Sequence, residues 1–502
     1  MSESTFAPAR RSPSGTDLTH TDSTHGIDGL DRRAWGTLLV LCGALFLDAL
    51  DVSMVGVALP SIRTHLHLST SSLQWVVSAY VLGYGGFLLL GGRAADLLGR
   101  RRMFLLSLGV YLVASGLGGF ATTGALLIGT RLVKGISAAF TAPSGLSIIT
   151  TSFPEGPARN KALSVYTATG ATGFSAGLVF GGALTEIGWR YVFFVPVVVA
   201  AVTLASAIKL VPRNSAAPAE RRGFDLAGAA SLTLGMVLLV FTVVEAPQVG
   251  WASGRTIGSL IGAGAIITGF VRHEQRTPTP LVRLGILRSS QLVRANLGAL
   301  SLFGGWIGFQ FIAMLYMQQL RGWSPLKAGL AIFPAGLLVA SLAPRLAPLI
   351  ERFGVNRLIV AGIASTVTGY ALFLSVGHHS SYVAGMLPTF LLAGLGFGLA
   401  YGPLNIAATN GVASHEQGLA GGLLNTSFQL GGAIVLAVAT AVNNANNHPA
   451  GNAAGLLRGF HAALVVSVIV AIVGVAATAA RRIGARETDI ETATEPEMEL
   501  AE

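Results

Sequence analysis

The chain alternates long apolar runs with short polar segments over most of its 502 residues. An α-helix needs about 20 apolar residues to cross the hydrocarbon core of a bilayer, and the runs have this length. We therefore predict an all-α membrane protein. The predicted spans are 35–60, 73–92, 103–120, 125–150, 163–184, 191–210, 227–246, 256–271, 293–319, 326–345, 358–377, 383–406, 419–442 and 457–479.

Composition agrees with this pattern. Only 11% of the residues are charged and 52% are hydrophobic, whereas soluble proteins carry about 25% charged residues. The 64 glycines suit membrane helices that approach one another closely. The single cysteine, Cys42, excludes an intramolecular disulfide and a cysteine metal cluster.

The net charge of +10 reflects topology. If the N-terminus is placed in the cytoplasm, most of the 33 Lys and Arg fall in or beside cytoplasmic segments. This positive-inside pattern predicts a multi-pass protein of the cytoplasmic membrane with both termini in the cytoplasm. The basic excess therefore requires no nucleic-acid partner.

The two ends of the chain differ from the rest. Residues 1–34 are predicted to be a disordered cytoplasmic tail, because they are rich in polar residues and lack the apolar core of a signal peptide. Residues 481–502 are predicted to form a cytoplasmic tail, and its part after Arg486 is acidic and predicted to be disordered.

Two loops repeat one pattern. GGRAADLLGRRR follows the second span and PRLAPLIERFGVNR follows the tenth, and each places an acid three residues before a glycine, with arginines around it. Glycine permits a tight turn, and arginine keeps a loop on the cytoplasmic side. The residues predicted to form a conformational gate are Gly92, Asp96, Gly99, Arg100, Arg101, Glu351, Arg352 and Gly354.

The separation of these loops indicates how the chain is divided. It exceeds the roughly 200 residues that six helices with their loops require, so two further helices lie between the halves. We predict a six-helix bundle over 35–211, a linker with two extra helices over 212–292, and a second six-helix bundle over 293–480. Repeated halves with a site between them are typical of secondary transporters.

At this point the sequence resembles the major facilitator superfamily, and within it the fourteen-helix drug:proton antiporters. The likeness covers roughly residues 35–480. The segments that carry it are LDVSMVGVALP (50–60), GRAADLLGRR (92–101), RLVKGISAA (131–139), GFSAGLVFGG (173–182), YMQQLRGWSPLKAGLAIFP (316–334) and GLAGGLLNTSFQLGGA (418–433).

The match is incomplete at six positions. Ala94 and Leu97 depart from the consensus of the loop at 92–101. Ser53 and Gly56 replace the threonine and asparagine of the family's first-helix pattern, Lys134 takes the position of a glutamine, and Leu178 that of a proline. The resemblance implies a proton-coupled exporter of small amphipathic molecules that works by alternating access. It also implies the superfamily fold.

Two aspartates in the first predicted helix need an explanation, because a carboxylate in hydrocarbon is costly. Asp48 and Asp51 are about 60° apart around the helix and can face one water-filled cavity. A carboxyl group withdrawn from water gives up its proton less readily, and so it can carry protons. With Arg131, a cation inside the fourth span, they are the predicted proton-coupling residues. The alternative for each is a static ion pair.

The predicted substrate cavity combines one cation and three amides: Lys134, Gln310, Asn425 and Gln429. Lys134 lies on nearly the same helix face as Arg131 and suggests an anionic or zwitterionic substrate, unless it extends to an interface. The amides have an alternative role as hydrogen-bond partners between helices.

Four glycines of the fifth span, Gly173, Gly177, Gly181 and Gly182, are predicted to share one helix face. That face packs closely against a neighbour or acts as a hinge when the halves move, and the two roles are compatible.

Other function classes find little support. The chain has no phosphate-binding GxxxxGK[ST] loop, no spacing typical of a metal site, and no apparent nucleophile and base. We therefore expect a monomeric transporter of small molecules and protons in the lipid bilayer, without cofactor, metal or enzymatic activity. Two alternatives remain: an exporter of a physiological solute such as an amino acid or lipid, with Lys134 as anchor, and a non-transporting sensor on the same fold.

Overall fold

A computed structural model of the chain describes residues 32–153, 157–212, 225–277, 285–286, 289–410, 412, 417–446 and 453–479. No strand occurs among these residues. The α-helices are α1 Arg32–His65, α2 Thr70–Leu98, α3 Arg100–Gly119, α4 Gly124–Ser152, α5 Pro157–Ile187, α6 Tyr191–Leu210, α7 Leu226–Val249, α8 Gly254–Glu274, α9 Ser290–Leu315, α10 Pro325–Leu342, α11 Leu346–Phe353, α12 Val355–Phe373, α13 Leu387–Thr409, α14 Gln417–Asn446 and α15 Ala453–Ala479.

Each of the fourteen predicted spans coincides with a helix, and the predicted all-α class is confirmed. α10 and α11 follow each other through a 3₁₀ turn at Ala343–Arg345 and count as one span. Twelve described segments are long and apolar enough to cross a membrane. The other two helices, α2 and α5, have 29 and 31 residues, but the structure does not describe all of their side chains. The count of fourteen crossings therefore stays a prediction.

Helix packing repeats within the chain. α1 packs against α5 and α6 as α9 packs against α14 and α15, and α3 packs against α4 and α6 as α12 packs against α13 and α15. The contact of α2 with α4 has its counterpart in the contact of α10 with α13. This repetition supports two equivalent six-helix halves. We call α1–α6 the N-half and α9–α15 the C-half, and the predicted domain limits remain a prediction.

The two additional helices pack against each other, and α7 also contacts α2 and α14. Asp225 caps the start of α7, accepting hydrogen bonds from the Gly228 N–H (2.8 Å) and His273 (2.8 Å). Burial opposes the charged form of Asp225, but these donors hold the pKa of this carboxyl below its ordinary value. The cap therefore fixes the α7–α8 pair at this end.

The halves meet along two helix pairs, α5 with α10 and α2 with α14. Where α5 meets α10, a Cβ added at Gly182 would lie 2.5 Å from Leu326 Cα. Gly173 and Gly181 instead face α1, where an added Cβ would lie 2.6 Å from Phe46 O and from Met54 Cα respectively.

The predicted single glycine face is therefore wrong. Gly177 also faces α1, next to Ser53, so three of the four glycines hold the N-half together. Gly182 alone of this set packs against the C-half. Close packing explains all four positions, because each is pressed against a neighbouring backbone or side chain.

The halves are joined most closely at the end that carries the α1–α2 loop, which we call the α1–α2 end. One apolar core extends from the C-half to Leu59, Leu178 and Trp189. Around the opposite ends of α1 and α3, a separate core with Leu41 and Phe104 includes no described residue of the C-half. The protein is therefore closed at the α1–α2 end.

Candidate functional site

The centre of the N-half holds a buried cluster of three charges. Asp51 of α1 and Lys134 of α4 are 0% exposed, and Arg131 of α4 is 1% exposed. Arg131 Nη1 donates a hydrogen bond to Asp51 Oδ2, and Lys134 Nζ donates to Asp51 Oδ1. Each carboxylate oxygen therefore has its own cation, and the cluster carries one excess positive charge when all three groups are ionised.

The two cations have further partners. Arg131 Nε donates to the Val76 carbonyl at 3.0 Å, and the guanidinium lies 4.5 Å from the centre of the Tyr80 ring. Lys134 Nζ donates to Ser115 Oγ at 3.1 Å and lies 4.6 Å from the centre of the Tyr111 ring. A buried charge is tolerated when such contacts replace its water.

The spacing of Arg131 and Lys134 along α4 explains why both cations contact the Asp51 carboxylate. Residues three apart lie on one face of a helix, so Arg131 and Lys134 point towards the same partner. Glycines bring α2 close to that face, since a Cβ at Gly83 would lie 2.8 Å from Ile136 N. Tyr80 is thereby placed beside Arg131.

Asp48 lies one turn before Asp51, in a different environment. Its side chain is half-buried, and Tyr80 Oη donates a hydrogen bond to Oδ1. No described cation lies within ion-pair distance of Asp48. Asp48 lines a small cavity together with Tyr111, Thr141 and Tyr166.

The expectation that both aspartates face one cavity is therefore wrong for this conformation. Asp51 is sealed among α1 and α4 side chains, and Lys134 is sealed with it. Lys134, predicted in the substrate cavity, belongs instead to the charge cluster. The cause is tertiary: the spacing of residues along α1 cannot show which helix covers which face.

An aromatic row faces the N-half from the C-half. Phe397 and Tyr401 are stacked with their ring centres 5.3 Å apart, and Tyr401 stacks on Phe428 at 5.1 Å. Trp306 lies 6.1 Å from Phe397 and 6.0 Å from Phe174 of α5, so the row reaches across to the N-half. Phe174, Phe397 and Tyr401 are half-buried, whereas Trp306 and Phe428 are buried. Aromatic rings are suited to the apolar part of a small molecule.

The predicted amides of the C-half differ in position. A Cβ at Gly56 would lie 3.5 Å from Gln310 Nε2, so the glycine that replaces the family's asparagine gives this amide room beside α1. Gln429 Cβ would lie 3.1 Å from a Cβ at Gly85 of α2. Asn425 Nδ2 donates to the Gly421 carbonyl of its own helix at 2.9 Å. Gln310 and Gln429 thus lie between the halves, whereas Asn425 has a local partner.

The predicted gate residues form turns and exposed surfaces. Gly99 and Gly354 have φ values of +96° and +80°, which favour glycine. Arg101 donates to the Val211 carbonyl at 2.9 Å and the Ile208 carbonyl at 2.7 Å, at the end of α6.

The remaining gate residues are less constrained. Arg100 Nη1 donates to the Ser147 carbonyl at 3.4 Å, Gly92 lies near Pro143, and Glu351 and Arg352 are exposed. The side chain of Asp96 is outside the described part of the structure. A gate role for these residues stays a prediction.

One intramembrane acid was missed in the sequence. Glu245 lies near the end of α7, and Trp75 Nε1 of α2 donates to its Oε1 at 2.8 Å. The signal was a carboxylate inside an otherwise apolar span, the feature that identified Asp48 and Asp51.

Known proteins agree with this architecture. The profile of the Major Facilitator Superfamily matches residues 41–436. The cephamycin export protein of Amycolatopsis lactamdurans is 37% identical over 81% of this chain and 84% of its own length. The puromycin resistance protein of Streptomyces alboniger is 34% identical over 88% and 90%.

A solved structure, that of the POT family transporter PepTSo, covers 90% of this chain and 98% of its own with a TM-score of 0.65 and 18% identity. The human organic anion transporter MFSD10 gives a TM-score of 0.62 over 89% of this chain and all of its own, at 18% identity. The chain belongs to the major facilitator superfamily, and it is a multi-pass membrane transporter of the drug-efflux type rather than an enzyme.

Proposed function

We propose that this member of the major facilitator superfamily exports small amphipathic molecules in exchange for protons. The relatives named for export of, or resistance to, antibiotics support export. The carboxylate of Asp48 beside a cavity supports proton exchange. This half-buried carboxylate beside a sealed charge cluster is the observation that carries the proposal.

In this proposal the two aspartates have different tasks. Asp51 holds Arg131 and Lys134 in place, because two cations in contact favour its ionised form. Asp48 exchanges the proton, because it is reached from the cavity and has only a tyrosine hydroxyl as a described partner. Ionised Asp48 balances the excess charge of the cluster, and protonated Asp48 does not.

Tyr80 connects the two sites. Its ring lies under the Arg131 guanidinium and its hydroxyl donates to Asp48. A change in the protonation of Asp48 therefore acts on α2 and α4 together, and α2 is one of the helices that contacts the C-half. Protonation of Asp48 can therefore change how the two halves are arranged.

Substrate recognition is assigned to the space between the halves. The aromatic row around Tyr401 would contact the apolar part of the molecule, and Gln310 and Gln429 would contact its polar groups. Because Lys134 is sealed, we do not assign it the role of a substrate anchor.

The conformation described here is closed at the α1–α2 end. With both termini in the cytoplasm, as the charge pattern predicts, that end is outside. Export then requires the α5–α10 and α2–α14 contacts to separate, so that the halves alternate around one site. We place this activity in the cytoplasmic membrane and expect a monomer.

Purified protein in liposomes tests the proposal. Internal pH is recorded while compounds of different charge are added, among them ethidium, puromycin and a cephamycin, with empty liposomes as control. A compound-dependent pH change together with movement of that compound is expected. Compound movement without a pH change would contradict proton coupling, and absence of both across the panel would favour the sensor.

A further inference from the structure

Four buried polar side chains between the halves have an atom without a hydrogen-bond partner among the described residues. They are Gln74 Nε2 and Ser78 Oγ of α2, and Thr440 Oγ1 and Asn443 Oδ1 of α14. Their exposed fractions are 2%, 0%, 1% and 3%. Buried polar atoms are nearly always paired, so four such atoms on two neighbouring helices require a reason.

The register of the two helices brings these residues together. Gly85 faces Gln429, and successive spans alternate in direction, so α2 and α14 run antiparallel. Gln74 lies eleven residues before Gly85, and Thr440 lies eleven residues after Gln429. Eleven residues make about three helical turns, so Gln74 points in the same direction as Gly85, and Thr440 in the same direction as Gln429. Because the helices are antiparallel, Gln74 and Thr440 also lie at the same height along the helix pair.

The other two residues join them. Ser78 lies seven residues before Gly85, about two turns, and therefore also faces α14. Asn443 lies three residues after Thr440 and neighbours it on the helix surface. We call Gln74, Ser78, Thr440 and Asn443 the polar seam. It lies towards the α1–α2 end, where the halves are closed.

The second contact between the halves is built differently. At α5–α10, Gly182 packs on Leu326, and Gly329 packs against the Leu178 carbonyl. Close packing at this contact stabilises the closed conformation, and that stabilisation is lost when the halves separate. The polar seam behaves in the opposite way, because its unpaired atoms acquire partners once water can reach them.

We propose that the polar seam is a water-binding site on the exit path, which takes up water when the halves separate at the α1–α2 end and thereby favours the outward-open conformation. The inference rests on the proposed alternation of the halves. The ligand is a small neutral group that both donates and accepts hydrogen bonds, because the seam offers an amide N–H, a carbonyl oxygen and two hydroxyls.

The test measures opening directly. In a Cys42→Ser background, Leu178→Cys provides a reporter that is 0% exposed in the closed conformation and lies at the other contact between the halves. Its labelling by a membrane-impermeant maleimide is timed with and without Ser78→Ala plus Thr440→Val. We expect labelling to slow at least about fivefold, because apolar side chains of similar size gain nothing from water.

Matched variants keep the test decisive. Thr366→Val removes a hydroxyl that is equally buried but already bonded to the Ile363 carbonyl within α12, and it should leave labelling unchanged. Gln74→Leu alone should slow labelling in the same direction if the double variant is poorly produced. Unchanged labelling in the seam variants, or an equal decrease in Thr366→Val, would overturn the proposal. Because labelling requires no substrate, slowed labelling without any export would refute only the proposed function.

Discussion

Asp48 and Asp51 lie one turn apart on the same helix, yet the structure gives them opposite surroundings. Asp51 is sealed between two cations, whereas Asp48 lines a cavity and has a tyrosine hydroxyl as its described partner. The aspartate that matches the family's first-helix pattern is therefore the one that is held in place. The aspartate without a motif lines the cavity, and it is the one to which we assign proton exchange.

The difference shows that burial and pairing decide what an intramembrane carboxylate can do. Two contacting cations stabilise the ionised Asp51, so a proton arriving there must displace strong interactions. A proton arriving at Asp48 competes with one hydrogen bond. In the proposed function, Asp48 titrates in the positive field of the sealed cluster.

The largest effect is expected from Asp51→Asn, which leaves Arg131 and Lys134 buried without a counter-charge. Removing one partner of a buried ion pair costs about 3–5 kcal/mol, so we expect a marked loss of folded protein. Thermal unfolding in detergent measures this, with Asp48→Asn as the matched control that should unfold near the wild-type temperature. If both variants unfold alike, the two aspartates are not structurally different.

A compensating change sharpens this result. Asp51→Asn combined with Lys134→Gln removes one charge of each sign and leaves Arg131 with a polar neighbour. The double variant should be more stable than Asp51→Asn alone, with a coupling of about 1–3 kcal/mol in a double-mutant cycle. Strictly additive losses would show that Lys134 and Asp51 do not interact.

Tyr80→Phe tests the surroundings of Asp48. It keeps the ring under Arg131 and removes the hydroxyl that donates to the carboxylate. Hydrogen bonds to charged groups contribute about 1.5–3 kcal/mol, so the ionised carboxylate loses support and the midpoint of the pH dependence of export should rise by about one unit or more. An unchanged pH dependence of export would show that the Tyr80 hydroxyl takes no part in proton exchange.

A smaller shift in the same direction is expected from Lys134→Gln, which acts on Asp48 only through space. Loss of a nearby cation favours the protonated carboxyl, so the midpoint should rise by roughly half a unit. Lys134→Arg keeps the charge and serves as the control that should retain the wild-type midpoint. A downward shift in Lys134→Gln would contradict the charge balance proposed here.

The sequence predicted the helices well because a run of about 20 apolar residues has few alternatives in a membrane. It also placed Asp48, Asp51 and Arg131 correctly inside the spans, because charges are rare there. The contact of Lys134 with Asp51 could not be predicted, since it depends on how closely α4 approaches α1.

The same limit applies to the glycines of α5 and to the aromatic row. Gly182 and Gly181 are adjacent in sequence but face different halves, a division that depends on where α10 packs. Phe397 and Tyr401 lie one turn apart, a spacing that also fits ordinary core packing. The partners of each face are set by tertiary contacts, which the periodicity of one helix does not contain.

The most direct test of the account compares Asp48→Asn with Asp48→Glu in liposomes, using a compound that the panel shows to be transported. For Asp48→Asn we predict that the pH gradient no longer drives accumulation, while exchange of labelled for unlabelled compound continues, because exchange requires no net proton movement. Asp48→Glu should retain gradient-driven accumulation. Accumulation against a gradient by Asp48→Asn, with the wild-type pH dependence, would contradict the assignment of proton exchange to Asp48.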